Sequence, residues 1–280
     1  MMQIFINCND AEYTIDLNSP LDISIPVYFD GLQPNTYGVP AASARSYEDG
    51  KFVGDVRRGG SCNFEEYRIV PHCNGTHTEC VGHISRERIA INTYFDRLLI
   101  PATLITIEPE KAVNSAETYT PDKQSADLII TAKSLFYKLH TLPREFMSAL
   151  VIRTTPNDPT KKSRNYMEEN PPFFSLEAMD YLFEIGVEHL LVDTPSIDRL
   201  FDEGKLSAHH VFWGVPQGSH DIHPEVHSRK TITEMIYVDN SIADGNYFIN
   251  IQIPNFVADA APSRILMYQA QQKINYSHKT

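Results

Sequence analysis

Apolar and polar residues alternate with a period of two through residues 13–17 and again through 21–27, the pattern of strands with one buried face, and Pro20 and Pro26 bracket the second stretch. Residues 31–38 are rich in turn formers and predict a loop. Residues 44–71 look irregular until a strand over 66–70, which would deliver His72 at its end. A β-rich run follows over 98–107, broken by Pro101 and closed near Pro109, because proline offers no N–H to a ladder. Residues 126–131 and 149–154 predict buried strands, with helical spacing over 132–142 between them. The four prolines within 155–173 predict a long excursion, either a lid or a contact between subunits. Ser175 is placed to cap a helix over 176–184 that Gly186 stops, and residues 187–193 then read as a strand. Strands over 231–238, 245–253 and 260–268 precede a polar tail from Gln269 that is expected to fray. Helices alternating with buried strands in the middle of the chain predict a mixed α/β fold, which sets polar groups at one edge of its sheet.

Composition narrows the partners. With 280 residues, a single domain over 1–280 can bury a large core. A formal charge of −12 argues against a nucleic-acid backbone or an anionic membrane as partner, since both would be repelled. The one dense basic cluster, Lys161-Lys162-Ser163-Arg164, reads as a solvated loop. No basic leader opens the sequence and no run approaches the roughly 18 apolar residues of a membrane span, so a cytoplasmic protein is expected. Cys8, Cys62, Cys73 and Cys80 form no CxxC pair, which speaks against a disulfide framework or a thiolate zinc site.

Chemistry concentrates in one loop, His72-Cys73-Asn74-Gly75-Thr76-His77-Thr78-Glu79-Cys80-Val81-Gly82-His83. Three imidazoles and a carboxylate in so short a stretch suit a borderline divalent ion such as zinc or manganese. Gly75 would let the backbone turn between His72 and His77, and His77 and Glu79 point the same way if that segment is extended. Cys73 and Cys80 read as small neighbours of the site, and a His-rich surface loop is the bland alternative.

The loop resembles the His-x-Gly-Thr-His-x-Asp-x-Pro-x-His signature of the cyclase-like metal-dependent hydrolases, the family of bacterial kynurenine formamidases and isatin hydrolases. This chain has one extra residue after His72, Glu79 in place of the Asp, and Val81 in place of the Pro. The segment Asp193-Thr194-Pro195-Ser196-Ile197-Asp198 is similar to the family's Asp-Thr-x-Ser-x-Asp, and Ser207-Ala208-His209-His210 to its Ser-His-His. The resemblance implies a swivelling β/β/α fold assembled as a homodimer or homotetramer. It implies one or two divalent ions, Zn2+ or Mn2+, held by His72, His77, Glu79, His209 and Glu234. His83 is then the group left to move protons, Tyr37 or Phe29 covers the substrate, and Asp193 and Ser196 support the ligands from behind. The reaction implied is hydrolysis of an amide, lactam or ester in a small molecule by metal-activated water. Two other readings stay open: a cupin-like iron or manganese oxygenase, and a binding protein that keeps the fold without turnover. His220, His223 and His227 read as surface residues of a polar loop, any one of which could replace a ligand. His189 reads as a core histidine, and His140 and His278 carry no partner pattern.

Overall fold

The structure is a computed structural model that describes residues 2–9 and 11–273. His278 and the end of the polar tail lie outside the described residues.

Nine strands make the main sheet: β1 (Leu21–Asp22), β2 (His77–Cys80), β3 (Ile100–Ile107), β4 (Ala149–Thr154), β5 (His189–Val192), β6 (Thr231–Glu234), β7 (Gly245–Gln252), β8 (Ala260–Pro262) and β9 (Arg264–Gln269). They lie in the order β8-β2-β6-β5-β4-β3-β7-β9-β1. The central β3, β4, β5 and β6 run parallel, each beside the next in sequence, and every flanking pair is antiparallel. Four helices are labelled α1 (Pro71–Asn74), α2 (Ala132–Leu139), α3 (Leu176–Glu184) and α4 (Ser207–Trp213); the last three are the crossovers that parallel neighbours require.

Period-two alternation sorts the parallel strands onto two cores. Ile105, Ile107, Leu150, Ile152, Leu190, Val192 and Ile232 face the helices and meet Leu135, Leu139, Met179, Leu182 and Phe212. Ala102, Leu104, Ala149, Val151 and Leu191 face the opposite way and pack with Ile249, Ile265 and Met267. Both faces are thus buried, which explains why these strands read as nearly continuous apolar runs. The helix boundaries follow from caps: Ser175 Oγ accepts from Ala178 N at 3.0 Å, and Thr131 and Ser134 form a reciprocal capping box on α2.

Several expectations shift. Pro101 does not break β3; it is the second residue of an eight-residue strand. Residues 21–27 alternate as expected, with Ile23 and Ile25 buried, but ladder pairing stops after Asp22 apart from a bridge between Ser24 and Ile236. The strand before the histidine loop, Glu65–Arg68, is exposed throughout and pairs only with Ser43–Ser46, so it is a surface ribbon and not a rigid base for His72. The tail does not fray at once: Gln271–Gln272 adds to the amino-terminal hairpin beside Tyr13 and Thr14. Ser263 separates β8 from β9, its N–H donating to the Thr76 carbonyl and its hydroxyl to Thr78 Oγ1.

Candidate metal centre

The site lies where β2 and β6 meet. In that antiparallel pair Glu234 stands directly opposite His77, and Ala260 of β8 stands opposite Glu79 on the other side. Side chains two apart on a strand share a face, so His77 and Glu79 point together. Thr78 faces away, into hydroxyl contacts with Thr233 and Ser263. His72 comes from α1, one helical turn rather than a strand end, which Asn74 ties down by accepting Val70 N–H at 2.8 Å. Gly75 makes no left-handed turn; its backbone is extended and packs tightly, since a Cβ there would lie 3.0 Å from Val27 Cγ2. His83 follows in a short 3-10 turn.

His209 arrives from the other half of the chain, on α4. Its Nε2 lies 2.7 Å from Glu79 Oε1 and 3.8 Å from Glu234 Oε1. His72 Nε2 lies 3.3 Å from Glu79 Oε2, and His77 Nε2 lies 3.4 Å from Glu234 Oε2. Stacked 4.4 Å from the His72 ring, His83 brings Nδ1 to 3.8 Å from Glu79 Oε2. All six side chains named in the sequence reading as ligands or proton carrier therefore converge.

Their supports fix which atoms face inward. His77 Nδ1 donates to the Gly75 carbonyl at 3.1 Å, leaving Nε2 as the lone-pair nitrogen. His209 Nδ1 donates to Asp198 Oδ2 at 2.5 Å, and Asp198 also accepts from Tyr119 Oη and Ala208 N, both at 2.6 Å. Glu234 Oε1 accepts Ile197 N–H at 2.8 Å. What remains are His72 Nε2, His77 Nε2 and Glu79 Oε2, all buried and all without a hydrogen-bond partner. Leaving such a group unsatisfied costs about 1–3 kcal/mol, and each of the three is a lone pair that a divalent cation would satisfy. Burial opposes charge on Glu79, but the imidazoles of His83 and His209 outweigh it and hold the carboxyl well below the usual range. Burial likewise opposes charge on His209, and Glu79 and Asp198 outweigh it, keeping its pKa well above the ordinary imidazole value. The inner groups that could ligate together are His77, Glu79 and Glu234, and Glu79, His83 and His209. Imidazole and carboxylate donors suit Zn2+ or Mn2+.

The remaining candidates are placed differently. Asp193 is not behind a ligand: its carboxylate accepts Thr154 N and Oγ1 at 2.8 and 2.7 Å and pairs with Lys161 Nζ at 2.8 Å, forming a buried polar knot away from the cluster. Lys161 is accordingly buried and not part of a solvated loop. Ser196 acts one step back, its Oγ accepting the N–H of Asp198 at 3.1 Å. Tyr37 is 46% exposed, yet its hydroxyl is withdrawn from water near Glu234, Asp202 and Asp198, and burial followed by these charges pushes its pKa up. Phe29 stacks on Tyr67 at 4.6 Å, on the surface ribbon. No ligand is replaced from the later loop: His220 Nδ1 bonds to the Ile84 carbonyl, and His223 and His227 contact each other's segment. Cys80 Sγ points to the Ile89 carbonyl, and burial raises the thiols of Cys73 and Cys80 to about 11 each. His189 is buried and bonds Thr231 Oγ1 at 2.8 Å.

Two carboxylates went unrecognised in the sequence. Asp198 closes the segment already noted, but the choice between its two aspartates requires knowing that α4 begins beside it. Asp259, which approaches His72 and His83, carries no local motif.

Comparison with known proteins agrees with this architecture. A kynurenine formamidase from Bacillus cytotoxicus is 24% identical over 259 residues, covering 92% of this chain and 98% of the relative. Among solved structures, an isatin hydrolase bound to the product analogue thioisatinate superposes with a TM-score of 0.59 at 13% identity, covering 90% of this chain and 93% of that one. A predicted metal-dependent hydrolase from Bacillus stearothermophilus gives 0.55 at 16%, covering 89% and 98%. The shared fold is the mixed α/β cyclase architecture. The family described as putative cyclase matches residues 15–199, two-thirds of the sequence and the whole histidine loop, and the chain belongs to that family.

Proposed function

We propose that this protein is a metal-dependent hydrolase that cleaves an amide, lactam or ester bond in a small molecule. One observation carries the reading: His72, His77, Glu79, His209 and Glu234, drawn from four separate segments, meet with three buried lone-pair atoms that no protein donor satisfies. A divalent ion bound there, Zn2+ or Mn2+, would polarise a carbonyl and lower the pKa of water. The chain supplies the rest. Glu79 directs one oxygen to His209 and the other to His72, the disposition of a bridging carboxylate. Asp198 holds His209 in the tautomer whose Nε2 faces inward. His83, about a quarter exposed where His77 and His209 are buried, takes a proton from the attacking water and returns it to the leaving atom. Tyr37 covers the substrate from the rim, with Phe29 further out on the ribbon. The names of the relatives, a kynurenine formamidase and an isatin hydrolase, support amide and lactam substrates. Like the family it resembles, the chain assembles as a homodimer or homotetramer, which light scattering would check.

Elemental analysis of the purified protein, followed by a panel of a formamide, isatin and a lactone, tests the reading. His77→Ala and His209→Ala should lose both metal and activity, whereas His83→Ala should keep the metal and lose turnover. Protein without metal, or a His83→Ala variant of undiminished activity, contradicts it.

A further inference from the structure

Asp259 precedes β8 by one residue, and backbone bonds on both sides fix its position: Cys80 N–H donates to the Asp259 carbonyl at 3.0 Å and Ile91 N–H to the Ala258 carbonyl at 2.8 Å. The β2–β8 ladder thereby carries a carboxylate from the end of the chain to the side of Glu79. Gly82 leaves it room, since a Cβ at that position would come within 3.1 Å of Asp259 Cβ. Asp259 Oδ2 lies 3.3 Å from His72 Nε2 and 3.4 Å from His83 Nδ1, while His72 Nε2 lies 3.3 Å from Glu79 Oε2. His72 Nε2 nevertheless makes no hydrogen bond to either carboxylate. Ligand atoms set tetrahedrally at about 2.0–2.2 Å from an ion stand about 3.3–3.6 Å from one another. The two separations from His72 Nε2, to Asp259 and to Glu79, fall in that range, and the ligand atoms of His72, His83 and Asp259 all lie within 4.8 Å of one another. Among the described residues, no lysine or arginine neutralises Asp259.

We propose that Asp259 is a metal ligand: with His72 and Glu79 it completes an outer cation position, beside an inner one framed by His77, Glu79, Glu234 and His209, with Glu79 shared between them. This rests on the metal-binding reading above and adds to it a ligand. His83 flanks the outer position, its Nδ1 nearer to Asp259 than to Glu79, and stays free to carry protons.

The test uses full-length protein stripped with a chelator and titrated with Mn2+, bound ions being counted by elemental analysis. Wild type should take two ions per chain. Asp259→Asn should take one, or bind the second at least tenfold more weakly, and Asp259→Glu should recover part of the loss. Electron paramagnetic resonance gives an independent reading: two ions sharing a carboxylate produce a spin-coupled signal in wild type, which should give way to an isolated six-line spectrum in Asp259→Asn. If Asp259→Asn does not fold, the wild-type spectrum decides, because an isolated six-line signal at saturation overturns the proposal. Two ions bound to Asp259→Asn within twofold of wild-type affinity overturn it as well. Wild type that binds no ion refutes the metal reading itself, whereas wild type and Asp259→Asn binding equally refutes only the role of Asp259.

Discussion

Replacing Asp198 by asparagine tests how the fold sets the binding nitrogen of His209. Asp198 Oδ1 accepts from Tyr119 Oη and Ala208 N, and Oδ2 accepts from both His209 Nδ1 and His209 N, the latter at 3.2 Å. Asparagine has one acceptor oxygen and one amide that only donates. If the amide takes the Oδ2 position, it faces two donors of His209, and the clash eases only if Nδ1 gives up its proton to Nε2. That proton then lies on the nitrogen 2.7 Å from Glu79, where an ion would bind. If the side chain flips, the amide faces Ala208 N–H instead and α4 loses its anchor. Both outcomes weaken the same ligand. Loss of such a supporting contact typically lowers metal affinity 10- to 100-fold, about 1.4–2.8 kcal/mol. The buried donor left unsatisfied should separately lower folding stability by about 1–3 kcal/mol. Chelator-competition titration with Zn2+ measures the first quantity and urea unfolding of the metal-free protein the second. A variant that loses stability but binds Zn2+ within twofold of wild type would refute the argument, since Asp198 would then hold the helix without orienting its histidine.

Three further outcomes follow from groups outside the cluster. Burial pulls the pKa of His189 down to about 4, so the unfolded chain binds a proton at higher pH than the folded one, and stability is lost as pH falls from about 6.5 towards 4. Between pH 6.5 and 5 this costs roughly 2 kcal/mol, and His189→Gln should remove that part of the slope in urea titrations at the two pH values; an unchanged slope would assign it elsewhere. Lys161→Met strands the Asp193 carboxylate in the interior and should destabilise the fold by about 3–5 kcal/mol while leaving the metal stoichiometry of folded protein unchanged, and a loss of bound ion would return Asp193 to the metal site. Gly82→Ala drives a methyl to 2.1 Å from the Ile89 carbonyl as well as towards Asp259, so it should lower thermal stability by about 1–3 kcal/mol, with a melting temperature equal to wild type as the contrary result.

What could be read from the chain alone depended on how local each cause was. Strands β3, β4 and β5 and helices α2 and α3 were legible because two-sided burial and capping are written in consecutive residues, as Ser175 and Gly186 show at the two ends of α3. Helix α4 was not, because Leu206 at its N-cap sits in the left-handed region with no side-chain cap, and Asp198, eight positions earlier, supplies the anchor by accepting Ala208 N–H. The ligands within residues 72–83 were visible as a cluster, and their pairing with His209 and Glu234 was reached through resemblance and not through spacing. Asp193 misled for the same physical reason that made it conspicuous: an acidic residue at the end of a buried strand must find a partner, and here Lys161 on the preceding excursion meets it before any ligand does. Asp259 lay beyond sequence reasoning because only the register of β8 on β2 brings it to Glu79, and that register depends on Ser263, whose backbone and hydroxyl both bond back to residues 76 and 78. A one-residue slip would turn Asp259 to the opposite face, so the bonds of Ser263 to Thr76 and Thr78 decide whether the proposed outer position has its carboxylate.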